Sequence, residues 1–218
     1  MSDRDIDPQF DASALVVIDT QRDVLDDGAL PIPGTSAALP AMHRVLEAFR
    51  GAERPIVHIV RIYEQDGSNA DLCRRQLLRD GAPILIRDSL GSQIAAELLP
   101  EPSVELDARL LLGGGVQELG RKEVVIFKPR WGAFYGTPLE DHLCGQRVST
   151  VAFAGCNFPN CPRTSIYEAS ERDFRVVLVR DAISGLYERG ERELAGIGVR
   201  MMSADEVEAA LGAPVGRP

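Results

Sequence analysis

The most reactive side chain in this sequence is a cysteine placed at the start of a predicted helix. Cys161 lies in the segment 155–165, which follows a strand-like apolar run at 151–154 and leads into a helical pattern that extends to Phe174. Pro162 supports a helix start there, because proline is favoured at the first helical position, where its missing N–H costs no hydrogen bond. Unpaired N–H groups and the positive end of the helix dipole favour the thiolate form of cysteine at this position. Cys161 is therefore a candidate nucleophile.

Two further residues supply a base and a positive charge. Asp19 ends the first strand-like run, and Lys128 directly follows another one at 124–127. In an open parallel sheet, ligands bind beyond the carboxyl ends of the strands, near the point where the strand order reverses. We therefore expect Asp19, Lys128 and Cys161 to meet in one pocket, although they lie far apart in the sequence.

This combination of side chains suits acyl transfer. The carboxylate takes the thiol proton, the ammonium offsets the negative charges in a dry pocket, and the thiolate attacks a carbonyl. Backbone N–H groups near the helix start can hold the resulting oxyanion. Each residue also has a structural alternative: Cys161 as a small buried hydrophobe, Asp19 as the cap of a turn, and Lys128 as a solvated lysine.

The elements that position these residues alternate between short apolar runs and longer amphipathic segments. Because the strand-like runs are almost continuously apolar, they fit a parallel sheet that is buried on both faces. We predict a single domain over 1–218 with an α/β fold: a three-layer α/β/α, Rossmann-like arrangement around a central, mostly parallel six-stranded sheet. The predicted strands are Ala14–Asp19, Pro55–Arg61, Val124–Phe127, Ser149–Ala154, Arg175–Val179 and Val199–Met202. The predicted helices are 36–50, Gly91–Leu99, Pro138–Cys144, Pro162–Asp173, Glu188–Ile197 and Ala204–Leu211. An irregular, loop-rich segment from about 63 to 120 is expected to lie over the pocket.

Composition narrows the class of ligand and the compartment. The chain has a net charge of −9 and no cluster of Lys and Arg, which argues against nucleic acid as a partner and favours a small-molecule substrate. Its apolar runs are far shorter than the roughly 20 residues that span a bilayer, so no membrane partner is expected. The polar, acidic N-terminus lacks the features of a signal peptide, which predicts a cytoplasmic protein. The four cysteines fit neither a disulfide framework nor paired CxxC metal knuckles.

Three separated motifs resemble those of the isochorismatase-like cysteine hydrolase superfamily. The first, VVIDTQRD at 16–23, is similar to the family's apolar strand that ends in Asp-x-Gln. The second, KPRWGAFYGTPL at 128–139, resembles Lys-x-x-x-Ser-Ala-Phe-x-Gly-Thr-x-Leu, with Gly132 in place of the usual serine. The third, at 155–165, has glycine, cysteine and a hydroxyl residue at the family's spacing, and the whole resemblance covers about residues 12–185.

The resemblance implies a role for each residue that matches a motif. Asp19 is implied as the general base, Lys128 as the supporting cation, and Cys161 as the nucleophile. A cis peptide is implied between Cys156 and Asn157, and the backbone N–H groups of Asn157 and Cys161 are implied to form the oxyanion hole. The metal-binding Asp-x-His-x-x-His cluster of the nicotinamidases is missing from the sequence, so no metal and no other cofactor are expected. A homodimer or homotetramer is also implied, with a neighbouring subunit able to complete the pocket.

A second group of side chains is predicted to bind the substrate. We predict that the pocket is lined by Gln21, Arg61, Trp131, Phe134, Tyr135 and Phe158. Arg61 or Arg130 is a candidate for binding a substrate carboxylate, although either could be a surface charge. Each aromatic residue could instead pack in the core or at a subunit contact. Phe158 and Pro159 depart from the residues that are common in relatives, so the pocket wall is expected to differ from that of a typical nicotinamidase.

The predicted function is metal-independent hydrolysis of a C–N bond in a small amide, ureido or carbamoyl compound through a thioester intermediate. One alternative is an isochorismatase-type vinyl ether hydrolase, which needs no thiol. Another is a non-catalytic relative that binds a small molecule or a partner protein. A third is a redox or thiol-transfer enzyme, which would need a resolving partner for Cys161; Cys156 is only five residues away, but the turn is expected to aim it into the core.

Overall fold

A seven-stranded sheet forms the centre of the molecule in the computed structural model, which describes residues 3–212. The strands are β1 (Ser13–Ile18), β2 (Ile56–Val60), β3 (Val116–Gly120), β4 (Glu123–Phe127), β5 (Thr150–Gly155), β6 (Arg175–Ile183) and β7 (Arg200–Met202). They lie in the order β3-β4-β2-β1-β5-β6-β7, and all neighbours are parallel except β3 and β4. The ends of the predicted domain, 1–2 and 213–218, lie outside the described residues.

Helices cover both faces of the sheet. They are α1 (Thr35–Gly51), α2 (Leu72–Arg79), α3 (Ala108–Leu112), α4 (Leu139–Gly145), α5 (Cys161–Ser170), α6 (Glu188–Ala195) and α7 (Ala204–Gly212). Alternate residues of β1 show how the layers form. Leu15 and Val17 pack in one apolar cluster with α1 and α7, whereas Val16 and Ile18 pack in a second cluster with α4, α5 and α6. The predicted three-layer α/β fold with a mostly parallel sheet is confirmed.

The segment that was predicted to be rich in loops contains one strand, β3, and two helices, α2 and α3, that the sequence patterns did not indicate. Strand β3 is an antiparallel edge strand with only partly buried or exposed residues, so it lacks the apolar run that marks the other strands. Helix α2 buries only Leu78. The sheet therefore has seven strands rather than six, and the segment 63–120 is more ordered than expected.

The helix predicted at Gly91–Leu99 is wrong. Two short 3-10 helices, Leu90–Ser92 and Ala96–Leu98, stand there instead. Between them, the carbonyl of Gln93 accepts from the N–H of Arg22 at 2.9 Å, and the N–H of Ala95 donates to the carbonyl of Thr20 at 3.1 Å. These groups are bonded to the loop after β1, so they are not available for a continuous α-helix.

None of the helices in residues 3–212 is long and apolar enough to cross a membrane.

Candidate active site

The sheet brings Asp19, Lys128 and Cys161 to one edge. The order of the strands reverses beside β1, which pairs with β2 on one side and with β5 on the other. Asp19 follows β1, Lys128 follows β4, and the segment that leads to Cys161 follows β5. Backbone hydrogen bonds fix the first two positions: the N–H of Asp19 donates to Ile59 at 2.9 Å, and the N–H of Lys128 donates to Val60 at 3.0 Å. The expected convergence on a strand-end pocket is therefore present in the fold.

Lys128 stands between the other two side chains. Its Nζ lies 2.8 Å from Oδ2 of Asp19, 3.2 Å from Sγ of Cys161 and 3.3 Å from the carbonyl oxygen of Arg130. The lysine side chain is fully buried. An ammonium group has three hydrogens, so these three partners account for its full donor capacity. These contacts fix the position of both the carboxylate and the sulfur.

The Cys161 thiol is protonated in the free protein. Burial and the negative charge of Asp19 raise the pKa of this thiol to about 12, although Lys128 and Arg61 act in the opposite direction. The sequence analysis expected the helix start to favour the thiolate, but burial and the adjacent carboxylate outweigh that effect. Because Oδ1 of Asp19 is buried and has no hydrogen-bond partner within residues 3–212, the carboxylate has a free acceptor. Oδ1 of Asp19 is therefore available to accept the thiol proton.

Helix α5 begins at Cys161, as expected, and its start offers two amides for an oxyanion. Neither the N–H of Asn157 nor that of Cys161 has a hydrogen-bond acceptor among the described residues. Both residues border the same cavity. Unpaired donors at a helix start are suited to bind a developing negative charge.

The predicted cis peptide between Cys156 and Asn157 is wrong, because no cis bond occurs in residues 3–212. The chain turns here in another way. Gly155 has φ of +119°, and Asn160 has the unusual angles φ −114° and ψ −104°. A trans bond between non-proline residues is favoured by about 3 kcal/mol, so a turn that glycine can make on its own does not require the cis form.

A narrow cavity opens over these groups. It contains about 420 Å³ of empty space, including its open mouth. Its walls combine a polar set with apolar and aromatic side chains, and they are formed by Asp19, Val24, Ile32, Arg61, Tyr63, Arg74, Leu85, Trp131, Cys156, Asn157, Asn160 and Cys161. Only about 40 Å³ of this space admits the centre of a water molecule, which is far below the volume of a typical small-molecule site. No group of three or more His, Cys, Asp or Glu side chains that could hold a metal ion occurs in residues 3–212.

Two predicted pocket residues, Arg61 and Trp131, border the cavity. Arg61 is buried and strongly held: its Nη1 lies 3.0 Å from Oδ2 of Asp71 and 2.8 Å from the carbonyl oxygen of Pro129, and its Nη2 donates to the carbonyl of Arg130. The guanidinium thus ties the end of β2 to the start of α2 and to the loop after β4. Arg130 does not border the cavity, and its guanidinium donates to backbone carbonyls instead.

Gln21 binds the protein itself rather than the cavity. Its side-chain amide donates to the carbonyls of Arg61 at 2.8 Å and Ser92 at 2.5 Å, and its oxygen accepts from the N–H of Arg61 at 2.8 Å. Because Gln21 is fully buried and all these bonds go to backbone groups, it fixes the loop after β1 against neighbouring segments.

Three predicted aromatic residues also lie away from the cavity. Phe158 is fully buried and meets Tyr187 edge to face at 5.3 Å. Phe134 packs near Phe174 with ring centroids 6.0 Å apart, and Tyr135 is 61% exposed. Gly190 explains the position of Phe158, since a Cβ there would lie only 2.4 Å from its ring. These residues serve packing or face solvent, which residue type alone could not reveal.

A neighbouring carboxylate explains the glycine that replaces the usual serine in the second motif. A Cβ on Gly132 would lie 2.1 Å from Oε2 of Glu168. That carboxylate occupies the space and accepts from the N–H of Phe134 at 2.9 Å. The space that a side chain at 132 would need is therefore occupied by Glu168 on α5.

The cavity wall includes several residues that the sequence patterns did not indicate. Arg74 and Tyr63 come from the segment that was expected to be loop, and Asn160 precedes the helix that begins with Cys161. Arg74 stacks on Trp131, with its Cζ 5.6 Å from the ring centroid. The amphipathic pattern of 72–79 could have predicted this helix. Arg74 lies four residues before the buried Leu78, so the two residues share one face of the helix.

Comparison with known proteins agrees with the fold and the motifs. Residues 13–205 match the family model for the isochorismatase domain. The chain is similar to N-carbamoylsarcosine amidase from Arthrobacter sp, with 28% identity over 69% of this chain and 51% of that protein. It is also similar to a protein from Arabidopsis thaliana named "Probable inactive nicotinamidase", with 26% identity over 78% of this chain and 79% of the relative. A crystal structure of an isochorismatase family protein from Desulfovibrio vulgaris superposes with a TM-score of 0.78 and 26% identity, covering 93% of this chain and 99% of the other.

Proposed function

Because the chain belongs to the isochorismatase-domain family, we propose that it is a cysteine hydrolase that cleaves a C–N bond in a small amide, ureido or carbamoyl compound. The observation that supports this most strongly is the buried Lys128 ammonium, which contacts both a carboxylate and a thiol at the end of a cavity. The name of the Arthrobacter relative, N-carbamoylsarcosine amidase, supports the type of bond.

In the first step, the thiol proton of Cys161 passes to the carboxylate of Asp19. The electron pair left on sulfur forms an S–C bond with the substrate carbonyl, and the carbonyl oxygen becomes an oxyanion. The free N–H groups of Asn157 and Cys161 are the candidates to bind it. The ammonium of Lys128 lies beside Oδ2 of Asp19 and Sγ of Cys161, so it stabilises the negative charge as it moves from oxygen to sulfur.

In the second step, the C–N bond breaks. The leaving nitrogen takes the proton that Asp19 holds and departs as ammonia or a neutral amine, which leaves a thioester on Cys161 and a carboxylate on Asp19. Asp19 then accepts a proton from water, whose oxygen attacks the thioester carbon. The C–S bond breaks, the sulfur recovers the proton from Asp19, and the carboxylic or carbamic acid is released.

The test is ammonia or amine release from a panel of small amides, ureido acids and carbamoyl compounds. We expect release by the intact protein to be abolished in Cys161→Ala and retained in Cys144→Ser, which removes an exposed thiol on α4. A vinyl ether hydrolase would need no thiol, so hydrolysis that persists in Cys161→Ala contradicts the proposed mechanism. If no compound in the panel releases ammonia or an amine, a non-catalytic binding role is favoured instead.

A further inference from the structure

The cavity contains a positive charge that no carboxylate in residues 3–212 balances. Arg74 lies in the first turn of α2 and borders the cavity together with Cys161. Its side chain has neither an ion pair nor a hydrogen bond to any described residue. Its Cζ lies over the ring of Trp131 at 5.6 Å from the ring centroid, which is within the range of a cation–π interaction. A half-buried guanidinium of this kind retains donors that can meet a ligand.

The other charges at the cavity occur in pairs. Asp19 is paired with Lys128 at 2.8 Å, and Arg61 is paired with Asp71 at 3.0 Å. The two thiols on the wall are neutral, because burial raises the pKa of Cys156 to about 11 and that of Cys161 to about 12. Arg74 therefore leaves the cavity with a net charge of +1, while the whole chain has a net charge of −9. A local charge opposite to that of the whole protein favours an anionic ligand.

The surrounding structure holds Arg74 in place. Asp71, directly before α2, is anchored by Arg61 and by the hydroxyl of Tyr63, which lies 3.3 Å from Oδ2. The N–H of Arg74 donates to the carbonyl of Asp71 at 2.9 Å, and Cζ of the guanidinium lies over the ring of Trp131 at 5.6 Å from its centroid. The planar guanidinium matches the two oxygens of a carboxylate.

We propose that the substrate carries a carboxylate in addition to its scissile C–N bond, and that Arg74 is the residue that binds it. This inference rests on the proposed function, and it identifies the substrate class as small amido or ureido acids. Arg61 supports the site by positioning α2, because its own donors are largely taken by Asp71 and backbone carbonyls.

The test compares matched pairs of compounds with and without a carboxylate, and turnover is measured as the ammonia released from the primary amide or ureido group that both members share. Each pair contains a small ureido acid or a dicarboxylic acid monoamide and the same compound with its carboxylate converted to an N-methylamide. Arg74→Met keeps a straight apolar stem over Trp131 and removes the charge. Arg79→Met is the control, since Arg79 ends the same helix and is exposed. Loss of a charge-assisted hydrogen bond predicts a drop of about 10- to 100-fold in kcat/KM for the acids in Arg74→Met, with less than about threefold change for the neutral partners. Arg74→Lys should recover part of the loss.

Binding to Cys161→Ala separates this inference from the proposed function. Titration calorimetry should show that an acid from the panel binds, that its N-methylamide binds more weakly, and that the difference disappears when Arg74→Met is added. If this pattern holds while no compound is hydrolysed, the carboxylate site stands and the proposed hydrolase is wrong. If hydrolysis depends on Cys161 but the neutral partners bind and react as well as the acids, the hydrolase stands and the carboxylate site is wrong. Failure of every acid to bind also overturns the inference.

Discussion

Replacing Asp19 by asparagine should change the thiol and the reaction in opposite directions. The substitution preserves the shape of the side chain and removes its negative charge. We expect the pKa of the Cys161 thiol to fall, because the adjacent carboxylate is one of the causes that raise it. Turnover should nevertheless fall by about 10²- to 10⁴-fold, the usual contribution of a general base. The thiol would therefore ionise more easily while the protein becomes a poorer catalyst.

The size of the change in pKa follows from the geometry around Lys128. Its Nζ lies 2.8 Å from Oδ2 of Asp19 and 3.2 Å from Sγ of Cys161, so these two atoms are no more than 6.0 Å apart. At an effective dielectric constant of about 20, two unit charges at that separation repel by about 3 kcal/mol. This energy corresponds to a decrease of about 2 in the thiol pKa, from about 12 in the original protein.

The assay is a pH titration of the ultraviolet absorbance of the thiolate, taken as the difference between each protein and its Cys161→Ala counterpart. The original protein should show no thiolate signal from Cys161 up to about pH 10, and Asp19→Asn should show one at lower pH than the original. Asp27→Asn, which removes an exposed carboxylate, should leave the titration unchanged. A thiolate signal in the original protein near neutral pH, or a rise in the thiol pKa in Asp19→Asn, would refute the reasoning.

Two further predictions concern stability. Burial opposes ionisation of Glu123, but hydrogen bonds from Arg50 and His58 outweigh it and lower the pKa of this carboxyl from 4.5 to about 2. Its contribution of about 3 kcal/mol is complete above the unfolded-state pKa and is lost as the pH falls toward 2. The free energy of unfolding of Glu123→Gln, measured with denaturant, should therefore be lower than that of the original protein at pH 7 and should decrease less as the pH falls below 4.5. An equal decrease in both proteins would contradict this. Gly155→Ala should lower the free energy of unfolding by about 3 kcal/mol or more, because φ is +119° and the new Cβ would lie 2.2 Å from the carbonyl oxygen of Ile18; stability equal to that of the original would contradict it.

The sequence revealed the buried strands and the convergence of the site because both depend on local patterns. Strands β1, β2, β4 and β5 are fully or almost fully buried, so their apolar runs are continuous. Polar residues directly after such strands must come together where the strands end, since neighbouring parallel strands end at one edge of the sheet. Strand β3 and helix α2 gave weaker patterns because each lies at the surface and buries few side chains.

The walls of the cavity could not be predicted because they depend on distant contacts. Phe158 follows Cys156 closely in the sequence, yet it fills a space that Gly190 leaves open. Arg74 lies on helix α2, and Asp71, the residue before that helix, is paired with Arg61 after the end of β2. The position of Arg74 at the cavity therefore depends on a contact between separate segments. The helix predicted at Gly91–Leu99 failed for the same reason, since its backbone is bonded to the loop after β1. Local preference was overridden in each case by a tertiary contact.

The most direct test of the central claim is a search for the thioester. The intact protein is mixed with a turned-over compound, quenched in acid within the reaction time, and analysed by mass spectrometry. The account predicts an adduct on Cys161 with the mass of the substrate less that of the released ammonia or amine, which is removed by hydroxylamine and does not form in Cys161→Ala. Turnover of the compound by Cys161→Ala at the original rate, without an adduct on either protein, would contradict it.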